Sequence, residues 1–454
     1  MYWANFLHIY QPPTQKELWV RRIAEESYRK IVRGLRANPR AKITLNINGI
    51  LCELLDRYGG KDVLADIKAL LEARQIELTG SAKYHAFLPL LPTLEIERQI
   101  RLNEETLDAY FGDVWRKDGK HGFFPPEMAY SKEVATVACA LGYQWIIVDE
   151  LAFPTQKKID GTKTYTITGL SDFGVFFRER TFSFAILSSE GAGSASTIIR
   201  YLSDRLGKNA YTLTAMDGET FGHHRPGLET LLFDLMREKS LIPTTISELK
   251  DKFPNQEIVE PRNSTWAATT SDLQNNTPYS RWQKKDNPIQ QRQWELTEMA
   301  IRAVQKSPEA VEARKKLDEA LHSDQYWWAS ARPWWSLEMI ERGAYELKSV
   351  VETAYASEES QKRAEELYKE ILYLGFEWQR SGKVDEISRQ EDEEISELRE
   401  LKKKFFITKE EYGHMIQVLK SQIRLAARAE EYHRAAMIKD RVRELCEEMK
   451  KTKK

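Results

Sequence analysis

A chain of 454 residues can bury a sizeable core and is long enough for more than one domain. Its formal net charge of −1 offers no global attraction to nucleic acid or an anionic membrane, and its three scattered cysteines (Cys52, Cys139, Cys446) form neither a disulfide framework nor a metal-spaced set. The first residues carry no basic leader ahead of a long apolar run and no stretch approaches membrane-spanning length, so a cytoplasmic location is expected.

Tyr2–Ile9 reads as an apolar first strand, ended by Tyr10-Gln11-Pro12-Pro13, which places His8 at its C-terminal edge. The pattern then predicts a helix over 16–35, a strand over 43–47, helices over 50–58 and 61–73, and a strand over 76–79 that leads into Gly80–Pro89. A helix over 94–111 precedes a short strand at Gly122–Phe124, which stops at Pro125-Pro126-Glu127, and Ser131 caps the next helix. The strand over 145–148 ends at Asp149-Glu150. Apolar segments over 165–168, 175–177 and 182–187 read as further strands, and the Gly- and Ser-rich loop 188–196 precedes a helix to Leu206.

The stretch from Leu213 to Gly227 concentrates the most chemistry. An apolar run over 211–216 reads as a buried parallel strand, followed at once by Asp217, Glu219, two glycines flanking a short turn, and His223-His224. Arg225-Pro226-Gly227 then opens a helix to about Glu238, with Pro226 near its first turn. Alternating strands and helices to about residue 260 indicate a parallel α/β barrel or a doubly wound sheet. Every polar cluster follows a strand, so His8, His85, Glu127, Asp149 or Glu150, and Asp217 are expected to converge on one rim.

From Pro288 helical patterns dominate, over 290–306, 308–321, 336–356 and 358–379, after a loop (263–287) that sets Trp266, Tyr279 and Trp282 among polar residues. Ser323–Trp335 packs four tryptophans beside Asp324. Twelve tryptophans are many for such a chain, and exposed indole rings suit sugar-binding surfaces, although core packing is their commoner use. The tail from Glu386 is highly charged and helical.

These residues together resemble glycoside hydrolase family 57, whose members act on α-glucans and related α-glycosides. His8–Pro12, Gly80–Pro89 with Tyr84-His85, Phe124–Ala129, Met216–His223 and Ser323–Trp328 are similar, in this order, to five short regions of that family. Thr277–Trp282 and Asn287–Trp294 resemble a segment between the fourth and fifth. The resemblance spans residues 1 to about 380 and implies a (β/α)7-type incomplete parallel barrel (1–262), an all-α helical bundle domain contributing to the active site (263–384), and a charged helical tail (385–454). It implies Glu127 as catalytic nucleophile and Asp217 as acid/base. His8, Gln11, His85, Glu219, His223, Asp324, Trp327 and Trp328 would bind an α-glucan or oligosaccharide. Residues 415–449 of the tail resemble the helical-hairpin UVR motif of repair proteins, carried by Ala426-Ala427, Glu431-Tyr432, Ala435-Ala436, Lys439-Asp440-Arg441 and Leu445; a contact with a second copy or a protein partner is expected there.

The chemistry fits on its own terms. A retaining glycosidase needs one carboxylate to attack and one carboxyl to protonate the leaving group, about 5–5.5 Å apart, and crowding raises the pKa of the acid. No cofactor or metal is expected, because the histidines and acids lack ligand spacing. Three rivals stand: a metal-dependent carbohydrate hydrolase of esterase or α-mannosidase type, a non-catalytic α-glucan-binding protein, and an adaptor whose charged tail is the main actor. Hydrolysis and glucan transfer are not separable in the sequence.

Overall fold

In a computed structural model, residues 1–116, 119, 122–154, 158–188, 195–332, 334–389, 409–428 and 432–451 are described. Most of the Gly- and Ser-rich loop (189–194), the middle of the tail (390–408), Pro333 and Glu431 lie outside them.

Among the described residues ten strands curl into one sheet: β1 (Tyr2–Ile9), β2 (Ile43–Ile47), β3 (Ile76–Gly80), β4 (Gly122–Phe123), β5 (Trp145–Asp149), β6 (Thr164–Ile167), β7 (Gly174–Arg178), β8 (Tyr211–Asp217), β9 (Ile242–Thr244) and β10 (Gln256–Val259). Their order is β10-β6-β7-β5-β4-β3-β2-β1-β8, with β9 paired to the first residues of β1. Neighbours run parallel except β6 against β7, which are antiparallel. A short helix, Arg180–Ser188, replaces the strand expected over 182–187. Leaving β7, the chain turns outward to cover the sheet with Phe182, Ala185 and Ile186, so an apolar run that could pass for a buried strand is one face of a helix. Among the described residues the sheet closes into a barrel through a seam between β7 and β8, where Glu179 N donates to Leu213 O at 2.8 Å.

Strand alternation sorts the side chains into two cores. Ala4 and Phe6 of β1, Trp145 and Ile147 of β5, Phe176 of β7, and Leu213 and Ala215 of β8 point inward, and the helix Ile246–Lys252 plugs the lower end with Ile246 and Leu249. The intervening residues, such as Leu7, Leu45, Leu78 and Met216, face the outer helices. On this alternation His8 is the next inward position above Phe6, and Asp217 the next above Ala215. The register pairs His8 with Asp217 directly. Both therefore reach the C-terminal mouth of the barrel, where α/β folds expose strand-end side chains.

The expected helix over 16–35 is interrupted. A π-turn at Ala24–Tyr28 joins the helices Glu17–Ile23 and Arg29–Ala37. It presents Glu26, Ser27 and Tyr28 to the loop after β8, and Ser27 Oγ donates to Gly218 O at 2.8 Å. The approach is tight enough to demand glycine: a Cβ at Gly222, whose φ is +110°, would lie 2.0 Å from Glu26 O. After that loop the helix begins at Leu228, beyond Pro226, with Gly227 at its N-cap in the left-handed region.

The helices Pro288–Lys306, Val311–Ala320, Leu337–Thr353 and Glu358–Arg380 bundle around Leu296, Leu317, Leu347 and Ile371. Arg314 ties the bundle to the barrel through Glu95, at 2.7 Å. Val384 and Ile387 of the short helix Lys383–Arg389 lean on the same core, so a division at 384/385 cuts through an element of the bundle. The helices Lys409–Arg428 and Tyr432–Lys451 pack on each other through Met415, Leu419, Ile438 and Leu445. A chain ending after Arg389 is expected to keep its stability within about 1 kcal/mol, because that hairpin has a core of its own. Thermal unfolding of the shortened chain checks this, and an aggregated or unfolded product would show that the hairpin props the bundle.

Candidate active site

Four carboxylates, Glu127, Asp217, Glu219 and Asp324, face one cleft of about 480 Å³ at the barrel mouth, lined also by His8, Tyr10, His85, Trp266, Trp327 and Trp328. A larger cavity of about 540 Å³ opens beside the β7–β8 seam, but neither Glu127 nor Asp217 lines it.

Glu127 follows Pro125-Pro126 on a turn where it and Met128 both adopt positive φ, 62° and 49°. Such backbone costs of order 1–3 kcal/mol per residue and persists only when its surroundings hold it. Trp266 supplies that hold. Its backbone N–H donates to Glu127 O at 3.1 Å and its indole Nε1 to Glu127 Oε2 at 2.7 Å. Oε1 is left facing His85, 3.9 Å from Nε2. Burial pushes the Glu127 carboxyl up to about 8 against the indole hydrogen bond, and the charges of Asp217 and Asp324 add to the rise.

His85 also sits at positive φ, 57°. The helical region clamps it: Ser323 N–H donates to His85 O at 3.0 Å, and His85 Nδ1 is 2.9 Å from Ser323 Oγ. Its ring packs against both Tyr10, at 4.1 Å between centroids, and His8, at 5.0 Å. Burial, reinforced by His322 and opposed by Asp324, holds His85 down at about 4. Burial and His85 hold His8 well below the usual imidazole range while Asn46 Oδ1 fixes its Nδ1 at 2.8 Å. Both rings are therefore neutral at pH 7, suited to exchanging hydrogen bonds with hydroxyl groups.

Glu219 lines the cleft and also braces it. Oε1 accepts from Tyr10 N at 3.1 Å, from Gln11 Nε2 at 3.4 Å and from the Tyr28 hydroxyl. Burial, then Asp217, raises its carboxyl to about 7. Gln11 is itself engaged on both ends, with Oε1 accepting from Gln15 at 2.8 Å. Asp324 accepts from the Tyr10 hydroxyl at 2.7 Å and from His322 Nδ1 at 3.1 Å. Trp327 and Trp328 stand half-buried and edge-to-face on the bundle side of the cleft, ring centroids 5.3 Å apart.

Two sequence expectations change. His223 does not line the cleft: its Nδ1 turns to Glu26 Oε2 of the π-turn at 2.5 Å, and its neighbour His224 takes the position on the cleft wall. Neither Asp149 nor Glu150 lines it. Asp149 is fully buried and pairs Arg178 at 3.2 Å and Arg180 at 3.1 Å, while Glu150 faces the seam cavity. Conversely Tyr10, Arg178, Trp266 and Ser323 belong to the cleft. Tyr10 lay inside the first motif and Trp266 in the aromatic-rich loop, so both had a signal; Arg178 had only its position at a strand end.

Among the described residues no group of three or more His, Cys, Asp or Glu side chains is placed to hold a metal ion, and no helix is long and apolar enough to cross a membrane.

Carboxylates, imidazoles and tryptophans thus converge on the mouth of a curled barrel, and the helical region supplies part of the cleft wall through Asp324, Trp327 and Trp328. The family described as glycosyl hydrolase family 57 matches residues 5–260, more than half of the chain, and the chain belongs to it. An alpha-amylase of Pyrococcus horikoshii is 26% identical over 155 residues, 33% of this chain and 23% of the amylase, so the chain spans about a quarter of that relative's length. In fold the chain is similar to a 4-alpha-glucanotransferase from Thermococcus litoralis (TM-score 0.60, 17% identity, 77% of this chain and 58% of that one). It is likewise similar to a branching enzyme from Thermococcus kodakaraensis solved with glucose (TM-score 0.60, 15% identity, 81% and 94%). A third likeness is the alpha-amylase AmyC from Thermotoga maritima (TM-score 0.55, 15% identity, 88% and 95%).

Proposed function

We propose that the chain is a retaining glycoside hydrolase or transglycosylase of α-glucans that works through a covalent glycosyl-enzyme. The observation that carries this reading is that Glu127 and Asp217, from the ends of separate strands, line one cleft together with imidazoles and tryptophans. Glu127 Oε1 attacks the anomeric carbon as the glycosidic bond breaks, and Asp217 gives its proton to the departing oxygen. Water or an acceptor hydroxyl then attacks the same carbon, its proton passes to Asp217, and Glu127 leaves. Trp266 steadies the nucleophile. His8, His85 and the Tyr10–Asp324 pair meet sugar hydroxyls, and Trp327 and Trp328 stack on sugar rings. Glu219 and Gln11 act by holding the loops after β1 and β8 together. The C-terminal hairpin is proposed to carry a contact with a second copy or a protein partner, which the chain ending after Arg389 tests through its mass in solution.

Incubation with maltooligosaccharides, followed by chromatography of the products, tests the activity. Shorter sugars alone mean hydrolysis, and longer ones in addition mean transfer. Activity is expected to survive exhaustive chelation. Oligosaccharides left unchanged would overturn the reading, and loss on chelation with recovery on zinc would replace it by a metal-dependent hydrolase.

A further inference from the structure

His322 lies behind the cleft, outside its lining, with 2% of its side chain exposed. Its Nδ1 is 3.1 Å from Asp324 Oδ2 and its Nε2 is 3.4 Å from Glu346 Oε2, on the helix Leu337–Thr353. Its backbone bridges Ala86, beside His85. Burial alone would keep such a ring neutral, but the two carboxylates outweigh it and raise His322 to about 9. The ring is thus an imidazolium at neutral pH, and no step of the reaction scheme uses its charge.

That charge sits one residue-layer from the nucleophile. Asp324, which His322 touches, is one of the two acids whose charge opposes ionisation of Glu127. We propose that His322 is a positioning residue: its buried positive charge, clamped between Asp324 and Glu346, offsets the Asp324 carboxylate and so keeps Glu127 able to ionise. The proposal rests on Glu127 being the nucleophile, and it adds a role for a side chain that touches no substrate. The groups facing His322 are Asp324, Glu346 and, in the next layer, His85 and Tyr10. Arg342 reaches Glu346 at 3.3 Å, and Glu319 contributes its backbone carbonyl to His322 N at 3.4 Å. Facing Glu127 are Asp217, Asp324, His85 and Trp266.

The charge count makes the proposal sharp. Asp324, His322 and Glu346 together carry one negative charge. His322→Gln leaves two, and adding Glu346→Gln returns the cluster to one. A buried like charge raises a neighbouring carboxyl, so Glu127 should titrate on the order of one pH unit higher in His322→Gln, and should move back toward the parent value in the double variant. A lost packing contact would instead move no titration, and a second substitution would only deepen the damage.

The measurement is carbon-13 NMR of protein labelled at the glutamate carboxyl carbon, with the Glu127 signal identified by its absence in Glu127→Gln. It needs no turnover, so it stands or falls separately from the activity assay. The expected result is the upward shift and its reversal. A Glu127 titration unmoved by His322→Gln, or moved and not restored by the double change, would overturn the proposal. Imidazole NMR of the unsubstituted chain, which has eight histidines, serves if the variants do not fold. His322 must remain charged at pH 7.5 there, and a neutral ring overturns the proposal without any variant.

Discussion

Glu127→Gln is expected to lower turnover of any α-glucan the parent cleaves by about ten-thousand-fold or more, because an amide cannot attack the anomeric carbon. Oligosaccharide binding should survive, since the amide keeps the shape of the carboxyl and its carbonyl can still accept from Trp266. The same substitution should make the protein more stable, and only at high pH. The sign follows from linkage. The unfolded Glu127 carboxyl ionises near 4.5 and the folded one near 8, so between these values the folded state binds more protons. Stability of the parent therefore falls as pH rises from about 4.5 to about 8. Glutamine carries no such penalty. Near pH 4 the two chains should unfold alike, and near pH 8 the variant should be ahead by on the order of 2 kcal/mol. This is well short of the full linkage value because a fifth of the side chain is exposed, at 20%. Denaturant unfolding at the two pH values checks it, and near-parental activity in the variant would remove Glu127 from the mechanism. The elevated value also bears on rate. The productive form has Glu127 ionised and Asp217 protonated, so the acid limb of the pH–rate profile should lie well above the ordinary carboxyl range and report the pair rather than either residue.

Much of this was legible because strand ends are readable. An apolar run of seven residues ending in Asp217, or of eight carrying His8 one place from its end, declares both a strand and which residue reaches its mouth; alternation then fixes the face. The motifs placed Glu127, Asp217, His85, Asp324, Trp327 and Trp328 on one cleft, as the structure has them. What stayed hidden depended on partners far away in the chain. His223 and His224 are adjacent and chemically identical, and only the π-turn, which brings Glu26 to His223, decides which of them faces the cleft. Asp149 and Glu150 looked like rim acids, but Arg178 at the end of β7 and Arg180 just after it hold Asp149 in the interior. The run over 182–187 misled for a simpler reason: six apolar-rich residues satisfy a buried strand and one face of a helix equally, and the turn at the end of β7 chose the helix. The helical region's part in the site was foreseen from its tryptophans. Its clamp on His85 through Ser323, and the charge of His322 behind Asp324, had no sequence signal beyond adjacency.

Asp217→Ala is expected to separate the two halves of the reaction. Without the acid, cleavage of a natural α-glucan should slow by about a hundred- to ten-thousand-fold, the range for a positioned proton donor. A substrate with a good leaving group, such as an aryl α-glycoside, needs little protonation to form the glycosyl-enzyme, so that first step should be much less affected. The second step then limits, because no base remains to activate water. Azide needs no base. It should enter the space left by the carboxyl, attack the glycosyl-enzyme from the face the leaving group vacated, and yield an α-glycosyl azide with faster overall turnover. The small-residue variant at the other carboxylate, Glu127→Ala, should respond in the opposite sense. With no nucleophile, azide can only displace the leaving group directly, which inverts the carbon and yields the β-azide. Proton NMR of the azide product distinguishes the two through the anomeric coupling. An inverted product from Asp217→Ala would exchange the roles of the two residues. A rate that azide leaves unchanged in both variants would argue that no covalent intermediate forms on Glu127.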